Sequence, residues 1–309
     1  MNHTRSEEKE PVEEIFCGPG GMAYGFGQFF DITHAVDFEE PVVQTYQANH
    51  PETQVRKKDV RHMTGARGDF TGITAAFGGV IGGPPCQGSS IMNAKRCPED
   101  SRNELMREFI RYVEEVSPRF FVMENVTEID DCWKNLVITR GEKAGFNVVA
   151  AVLNAADYGA AQKRKRLIIV GTKGTTWTPP SKTGGRTVRD AFSRLENNWG
   201  FMKSRPDTLE KLTHAIPDKW TAMTDKYRNM IKLDYDAPSP AVANVKKMYM
   251  VHPAECRNIT LAEAALLQGF PPSYIWKGGE RDISQMIADA MPTDLSYALA
   301  RTLTSAVAS

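Results

Sequence analysis

IFCGPGGMAYGFG, residues 15–27, decides the architecture. A short apolar run enters a glycine-rich turn and leaves it as a helix-forming stretch, the order in which a strand delivers backbone N–H groups to a ligand at a helix N-terminus. The same alternation extends outward from it. Apolar runs at 35–38, 75–81, 120–123, 148–153 and 167–170 read as strands, and stretches through Tyr46, over 104–116 and near 133–144 read as helices. Strands alternating with helices predict an α/β domain with a mostly parallel sheet, whose ligands sit beyond the carboxyl ends of its strands. The polar, acidic first 14 residues read as a disordered or fraying lead. The pattern degrades from Thr172 in TKGTTWTPPSKTGGR (172–186), a linker-like cluster of Pro, Gly and Thr. It returns at 259–269, where LAEAALLQG reads as a helix stopped by Gly269, and a last helix over 283–304 is kinked or divided by Pro292.

The chain has 309 residues, enough for one large domain or a large domain with a smaller partner. With 41% apolar and 25% charged residues it has the composition of a soluble globular protein, and no stretch approaches the ~20 apolar residues that span a bilayer. The N-terminus lacks the basic-then-apolar order of an export signal, so the cytoplasm is the expected compartment, with nucleoid association if the source is bacterial or phage. The five cysteines, Cys17, Cys86, Cys97, Cys132 and Cys256, are odd in number and form no C-x-x-C pair. That argues against a disulfide scaffold and a zinc ribbon, and no metal is expected. The 38 basic and 38 acidic residues cancel, but not locally: residues 161–258 hold 19 Lys and Arg against 9 Asp and Glu. Such a segment either meets a polyanion or is a solvated basic face.

Four sets of residues carry chemistry. Gly18, Gly20 and Gly21 follow the first strand, and Asp37 lies 19 residues after Gly18 at the end of the second, where an acid can accept from a ribose. Alone, this supports any adenosine-bearing cofactor or a plain glycine turn. In GGPPCQGSS (82–90) two prolines stiffen the exit from an apolar strand and fix Cys86, which is either a nucleophile or a buried structural thiol. Glu124 ends the next apolar run, FFVM, as a carboxylate that is salt-bridged or poised for proton work. In QKRKRLIIVG (162–171), Gln162, Arg164 and Arg166 alternate with Lys163 and Lys165 at strand period. The two arginines can hold a carboxylate, a base carbonyl or phosphate, or form a solvent-facing basic edge.

Together these pieces resemble the cytosine-C5 DNA methyltransferases, in the family's order and over nearly the whole chain. FCGPGG (16–21) is similar to the S-adenosylmethionine loop, with Phe16, Gly18, Gly20 and Gly21 as contacts. Asp37 and Phe38 correspond to the second-strand contacts, and Asp59 to the acid that meets the adenine. PPCQ (84–87) resembles the nucleophile motif, with Pro84 on the cofactor side and Pro85 and Gln87 on the substrate side. ENV (124–126) matches the glutamate motif, and NAADYGAAQKRKRLIIVG (154–171) the Q-x-R-x-R block, where Gln162 would meet substrate. RNITLAEAALLQGFPPSY (257–274) resembles the block after the recognition region. Three positions depart from the pattern: Ser89 stands where Phe is usual, GAAQ lacks the usual proline, and the final block reads IADAMP (287–292) in place of Gly-Asn. The resemblance puts Asp289 and Ala290 near the methionine end of the cofactor.

The resemblance implies a Rossmann-like methyltransferase domain, residues 1–171 and 257–309, plus a small target-recognition domain, 172–256. It further implies a monomer that acts on double-stranded DNA. Cys86 would attack C6 of a flipped cytosine, Glu124 would meet N3 and N4, and Arg164 would hold the base at O2, with Arg166 as a further catalytic residue. Two alternatives share the fold: a tRNA cytosine-C5 methyltransferase, and a catalytically weakened nucleic-acid-binding relative.

Overall fold

The computed structural model describes residues 9–64, 77–85, 104–201, 220–222, 229–243 and 249–307. It divides into two compact units, one of Met1–Leu153, Arg166–Pro180 and Ser296–Ser309, the other of Asn154–Lys165 and Ser181–Leu295.

The frame of the first unit is a seven-stranded sheet. Its strands are β1 (Pro11–Ile15), β2 (Asp31–Asp37), β3 (Gln54–Lys57), β4 (Gly79–Gly82), β5 (Phe120–Asn125) and β6 (Asn147–Asn154). After β7 (Gln162–Lys163), which belongs to the second unit, β8 (Lys165–Thr172) completes the sheet in the order β3-β2-β1-β4-β5-β8-β6. β1 pairs parallel with β2 and β4, β2 with β3, and β4 with β5, while β8 runs antiparallel to β5. The sheet is therefore mostly parallel, as its sequence alternation requires. Strand order reverses between β1 and β4, the switch point where an open α/β sheet leaves a ligand crevice.

Helices α1 (Gly21–Phe26), α2 (Glu40–Asn49), α3 (Glu104–Val116) and α4 (Asp131–Lys143) accompany it. α3 forms because Met106, Phe109, Ile110 and Val113 recur at helical spacing, and all four are fully buried in a core shared with Phe121 and Met123 of β5. Burying each of these side chains contributes roughly 1.5–3 kcal/mol.

Of the first 14 residues, 1–8 lie outside the described residues, and 9–14 are not a fraying lead. β1 begins at Pro11, where a missing N–H costs a strand least, and it is a central strand of the sheet. Its polarity in sequence comes from Glu13 and Glu14, which are 0% and 1% exposed. Successive strand residues point to opposite faces. Tyr112 Oη of α3 accordingly donates to Glu13 Oε2 at 2.7 Å, and Tyr46 Oη of α2 to Glu14 Oε2 at 2.8 Å.

Burial pushes the Glu14 carboxyl up from 4.5 to about 8, with the Asp37 charge adding to the rise and Tyr46 opposing it. The fold thus keeps a proton that the unfolded chain loses near pH 4.5, so stability falls as pH rises from there to about 8. Glu14→Gln should match the wild type in thermal midpoint at pH 5 and exceed it at pH 8.5, by about two degrees for each kcal/mol relieved. Equal pH dependence in the two proteins would contradict a protonated Glu14.

The second unit holds β7, β9 (Trp220–Ala222), β10 (Asn229–Lys232), β11 (Ser239–Pro240), β12 (Tyr249–Val251), α5 (Val188–Phe192), α6 (Leu261–Leu267) and α7 (Glu280–Asp289). β9 pairs antiparallel and β12 parallel with β10, and β11 runs parallel to β7. A capping box starts α6: Thr260 Oγ1 accepts from Glu263 N at 3.1 Å, and Glu263 Oε2 from Thr260 N at 2.8 Å. Pro292 divides the last helical stretch rather than kinking it, so α7 ends at Asp289 and α8 (Thr293–Val307) starts beyond the proline. The segment expected to read DNA, 172–256, lies mainly in the second unit, which also takes in 154–165 and 257–295. No helix among the described residues is long and apolar enough to cross a membrane.

Candidate active site

β1 ends at Ile15, and the chain turns at once through left-handed backbone at Phe16 (φ 54°), Gly18 (φ 53°) and Gly20 (φ 92°). For Phe16 that conformation costs roughly 1–2 kcal/mol, which the packing of its ring against the core offsets. A Cβ on Gly18 would meet nothing within 4 Å, so backbone conformation, not crowding, selects glycine there, and the space above the turn is open. Asp37 fastens this loop to the end of β2. Its Oδ2 accepts from Gly18 N at 3.0 Å, and its Oδ1 accepts from Phe38 N at 2.7 Å and Glu39 N at 3.1 Å. Phe38, beside it, is 65% exposed. Gly21 is buried at the first turn of α1. Asp59 accepts from Arg61 N and Nε, each at 3.0 Å, and the Arg61 guanidinium holds its carboxyl below the usual range.

β4, GVIG, is fully buried. A Cβ on Gly82 would lie 2.1 Å from Ile15 O, so only glycine lets the ends of β1 and β4 close on each other at the switch point. The next residue reaches the end of β5, where a Cβ on Gly83 would stand 3.0 Å from Glu124 Oε2. Pro84 is buried, and its carbonyl accepts from Asn125 Nδ2 at 3.0 Å. Asn125 Oδ1 in turn accepts from Val126 N at 2.8 Å. The ENV asparagine thus ties the Pro-Pro strap to the end of β5. Pro85 is half-buried, while Cys86 and Gln87 lie outside the described residues.

Glu124 is salt-bridged. Arg166 Nε of β8 reaches its Oε1 at 2.6 Å, with both side chains mostly buried. Charge-assisted pairing in so dry a place fixes both side chains.

Gln162, Arg164 and Arg166 do not share one strand. Burial alternates as the spacing requires, but Arg164 N donates to Gln162 O at 3.1 Å, a local turn that interrupts the ladder between β7 and β8. Arg166 belongs to the first unit, Gln162 and Arg164 to the second. Arg164 gives Nη1 to Val242 O at 2.8 Å and Nη2 to Ala288 O at 2.6 Å. Asp289 is exposed on α7, where its Oδ2 accepts from Gln285 Nε2 at 2.7 Å, and Ala290 O accepts from Gln268 Nε2 at 3.3 Å.

Three structural residues were not singled out by sequence. Asn125 had a signal, its place directly after Glu124. Gly82 and Gln268 had none, because a close backbone approach and a buried amide network leave no spacing pattern. Among the described residues, no group of three or more His, Cys, Asp or Glu could hold a metal ion.

The family model of C-5 cytosine-specific DNA methylases matches residues 11–305. M1.HphI, a Type II methyltransferase of Haemophilus parahaemolyticus, is 32% identical over 93% of this chain and 84% of its own length. M.DdeI, a Type II methyltransferase of Desulfomicrobium norvegicum, is 28% identical over 94% and 87%. Among solved structures, a prophage-encoded E. coli protein assigned to DNA modification methyltransferases superposes with a TM-score of 0.78 at 23% identity, covering 97% of this chain and 100% of that one. A Spodoptera frugiperda DNMT2 variant gives 0.71 at 15% identity, covering 96% and 99%. At those identities the structures attest the fold alone. The family match runs from the first strand of the sheet into the last helix, and the chain belongs to the C-5 cytosine-specific DNA methylases, enzymes that methylate cytosine in DNA.

Proposed function

We propose that the chain methylates C5 of cytosine in double-stranded DNA with S-adenosylmethionine as donor, through a covalent bond between Cys86 and C6 of a flipped base. One observation carries this reading. The Pro-Pro strap that leads to Cys86 is bonded to the end of β5, where Glu124 and Arg166 pair, at the switch point that also bears the glycine loop.

The loop suits the donor. Open space above Gly18 admits a ligand against backbone N–H groups, with Phe16, Gly20 and Gly21 completing the turn. The exposed Phe38 ring offers a face to an adenine, Asp37 stands where the ribose would lie, and Asp59 and Pro84 complete the proposed contacts. S-adenosylmethionine, when bound, supplies a methyl group activated by a sulfonium.

The residues of the chain do the rest. Cys86, as thiolate, adds to C6 and pushes the ring electrons toward C5. Glu124 delivers a proton to N3, which neutralises the charge that develops there, and accepts from the N4 amine. Arg166 holds the Glu124 carboxylate and is the arginine we assign to the base. C5, made nucleophilic by that addition, takes the methyl group as its bond to the sulfonium breaks with the electron pair left on sulfur; once the C5 proton has passed to solvent, Cys86 departs as thiolate and aromaticity returns. Pro85 and Gln87 flank the nucleophile on the substrate side.

The basic segment supplies DNA affinity by counterion release. Replacing four of the lysines and arginines between Lys203 and Lys247 should flatten the slope of log K against log salt by about 0.9 for each phosphate no longer neutralised. A slope equal to that of the wild type would remove this segment from the DNA interface. We place the protein in the cytoplasm as a monomer.

Incubation with labelled S-adenosylmethionine and either duplex DNA or tRNA tests the whole reading. Label on cytosine C5 of duplex DNA is expected, and bisulfite mapping in expressing cells then gives the recognition sequence. Label on tRNA alone would sink it.

A further inference from the structure

Val242 lies in the basic segment and is fully buried, and both of its backbone polar groups are taken by side chains. Its N–H donates to Gln162 Oε1 at 3.1 Å, and its carbonyl accepts from Arg164 Nη1 at 2.8 Å. Just before it, β11 pairs with β7, and Ser239 N donates to Ala161 O at 2.9 Å. Residues 239–242 are therefore gripped along their length by residues 161–164.

The grip is braced from behind. Gln162 Nε2 donates to Leu267 O at 2.9 Å and Gln268 Oε1 at 2.6 Å, and Arg164 Nη2 donates to Ala288 O at 2.6 Å. Gln268 Nε2 donates to Ile287 O at 2.5 Å, so one network reaches α6 and the end of α7. Gln162 and Gln268 are 0% exposed and Arg164 is 3% exposed. Terminal nitrogens of a buried guanidinium set on neutral carbonyls are a costly arrangement for stability alone. What such a planar fork offers is position, since it fixes two acceptors at once in a set geometry.

We propose that Gln162 and Arg164 form a latch on the Val242 backbone and so position the recognition segment for DNA, acting as positioning residues rather than as contacts of the reacting base. This rests on residues 172–256 being the part that reads DNA. The latch holds backbone atoms, so it fixes where the segment stands and is indifferent to the side chain at 242. Arg164 commits its terminal nitrogens within the second unit, whereas Arg166, two residues along, pairs with Glu124.

The test uses the full chain, unmethylated genomic DNA as probe, and two variants, Arg164→Lys and Gln162→Met. Lys keeps the charge but loses the fork, and Met keeps the volume but loses the amide. Amide hydrogen exchange read by mass spectrometry should speed up about tenfold or more over 239–243 in both variants, with β1, β4 and β5 unchanged. KM for DNA should rise about tenfold, with kcat and the Kd for S-adenosylmethionine within about threefold of wild type. Wild-type exchange over 239–243 would overturn the latch. Faster exchange with an unchanged KM for DNA would overturn its positioning role, as would a fall in kcat at constant KM, the sign of direct contact with the base. If Arg164→Lys does not fold, Gln162→Met reads the same exchange. An unchanged salt slope in the lysine and arginine variants would instead show that the segment does not read DNA, a failure separate from that of the latch.

Discussion

Cys86→Ser abolishes methyl transfer, with kcat lower by about a thousandfold or more, and leaves the Kd for S-adenosylmethionine unchanged. A thiol with an ordinary pKa near 8.5 offers a few per cent thiolate at neutral pH, whereas a serine hydroxyl offers essentially no alkoxide. The cofactor loop takes its shape from Asp37 at the end of β2, in bonds to Gly18 and Phe38 that do not involve residue 86. No described cysteine with a shifted pKa is poised to substitute: burial and the carboxylates of Asp37 and Glu14 push the Cys17 thiol up, and burial with Asp130 does the same to Cys132. Single-turnover assays on duplex DNA and calorimetry with the cofactor measure the two quantities. Duplex DNA carrying 5-fluorocytosine should also trap an adduct on Cys86, because fluorine at C5 blocks the loss of a proton that releases the thiolate. Wild-type-like turnover in the variant, or an adduct mapped to Cys97, would refute the assignment.

Much of the frame is legible in the sequence because it obeys simple periods. The helix expected over 104–116 has those bounds, since Met106, Phe109, Ile110 and Val113 face one core, and β5 is the buried run FFVM extended by Glu124 and Asn125. Illegibility has specific causes. Glu13 and Glu14 make β1 look like a solvated lead because their partners, Tyr112 and Tyr46, lie far along the chain. β3, QVRK, has one apolar residue in four and nothing to announce a strand. In the candidate site, the sequence leaves Glu124 open between salt bridge and proton work, and its cation, Arg166, comes from the neighbouring strand β8, 42 residues along. Asp37 reads as a ribose acceptor by spacing, but its bonds to Gly18, Phe38 and Glu39 show a second task, holding the loop. Val242 carries no signal, because only its backbone is used. Cys86 and Gln87 are legible as a motif and lie outside the described residues.

Arg166→Ala should lower kcat by about a hundredfold to ten-thousandfold and destabilise the first unit by about 3–5 kcal/mol, more than most single substitutions do. The cause is what it leaves behind. Glu124 is 9% exposed, and without Arg166 its carboxylate would sit in a dry site among β4, β5 and β8 with its bound cation gone. Glu124→Gln removes the negative charge but keeps the shape, so it should cost less stability while losing activity to a similar extent. The double variant separates pair from parts. If the two residues act as a unit, Glu124→Gln should offset part of the loss caused by Arg166→Ala, an interaction of roughly 0.5–3 kcal/mol in urea midpoints at constant m. Activity in the double variant should be no lower than in the worse single, because a site that has lost one member of a unit has little left to lose. Fully additive losses, in stability or in log kcat, would mean that the two residues act independently and that the ion pair of the resting fold is not the arrangement that meets the base.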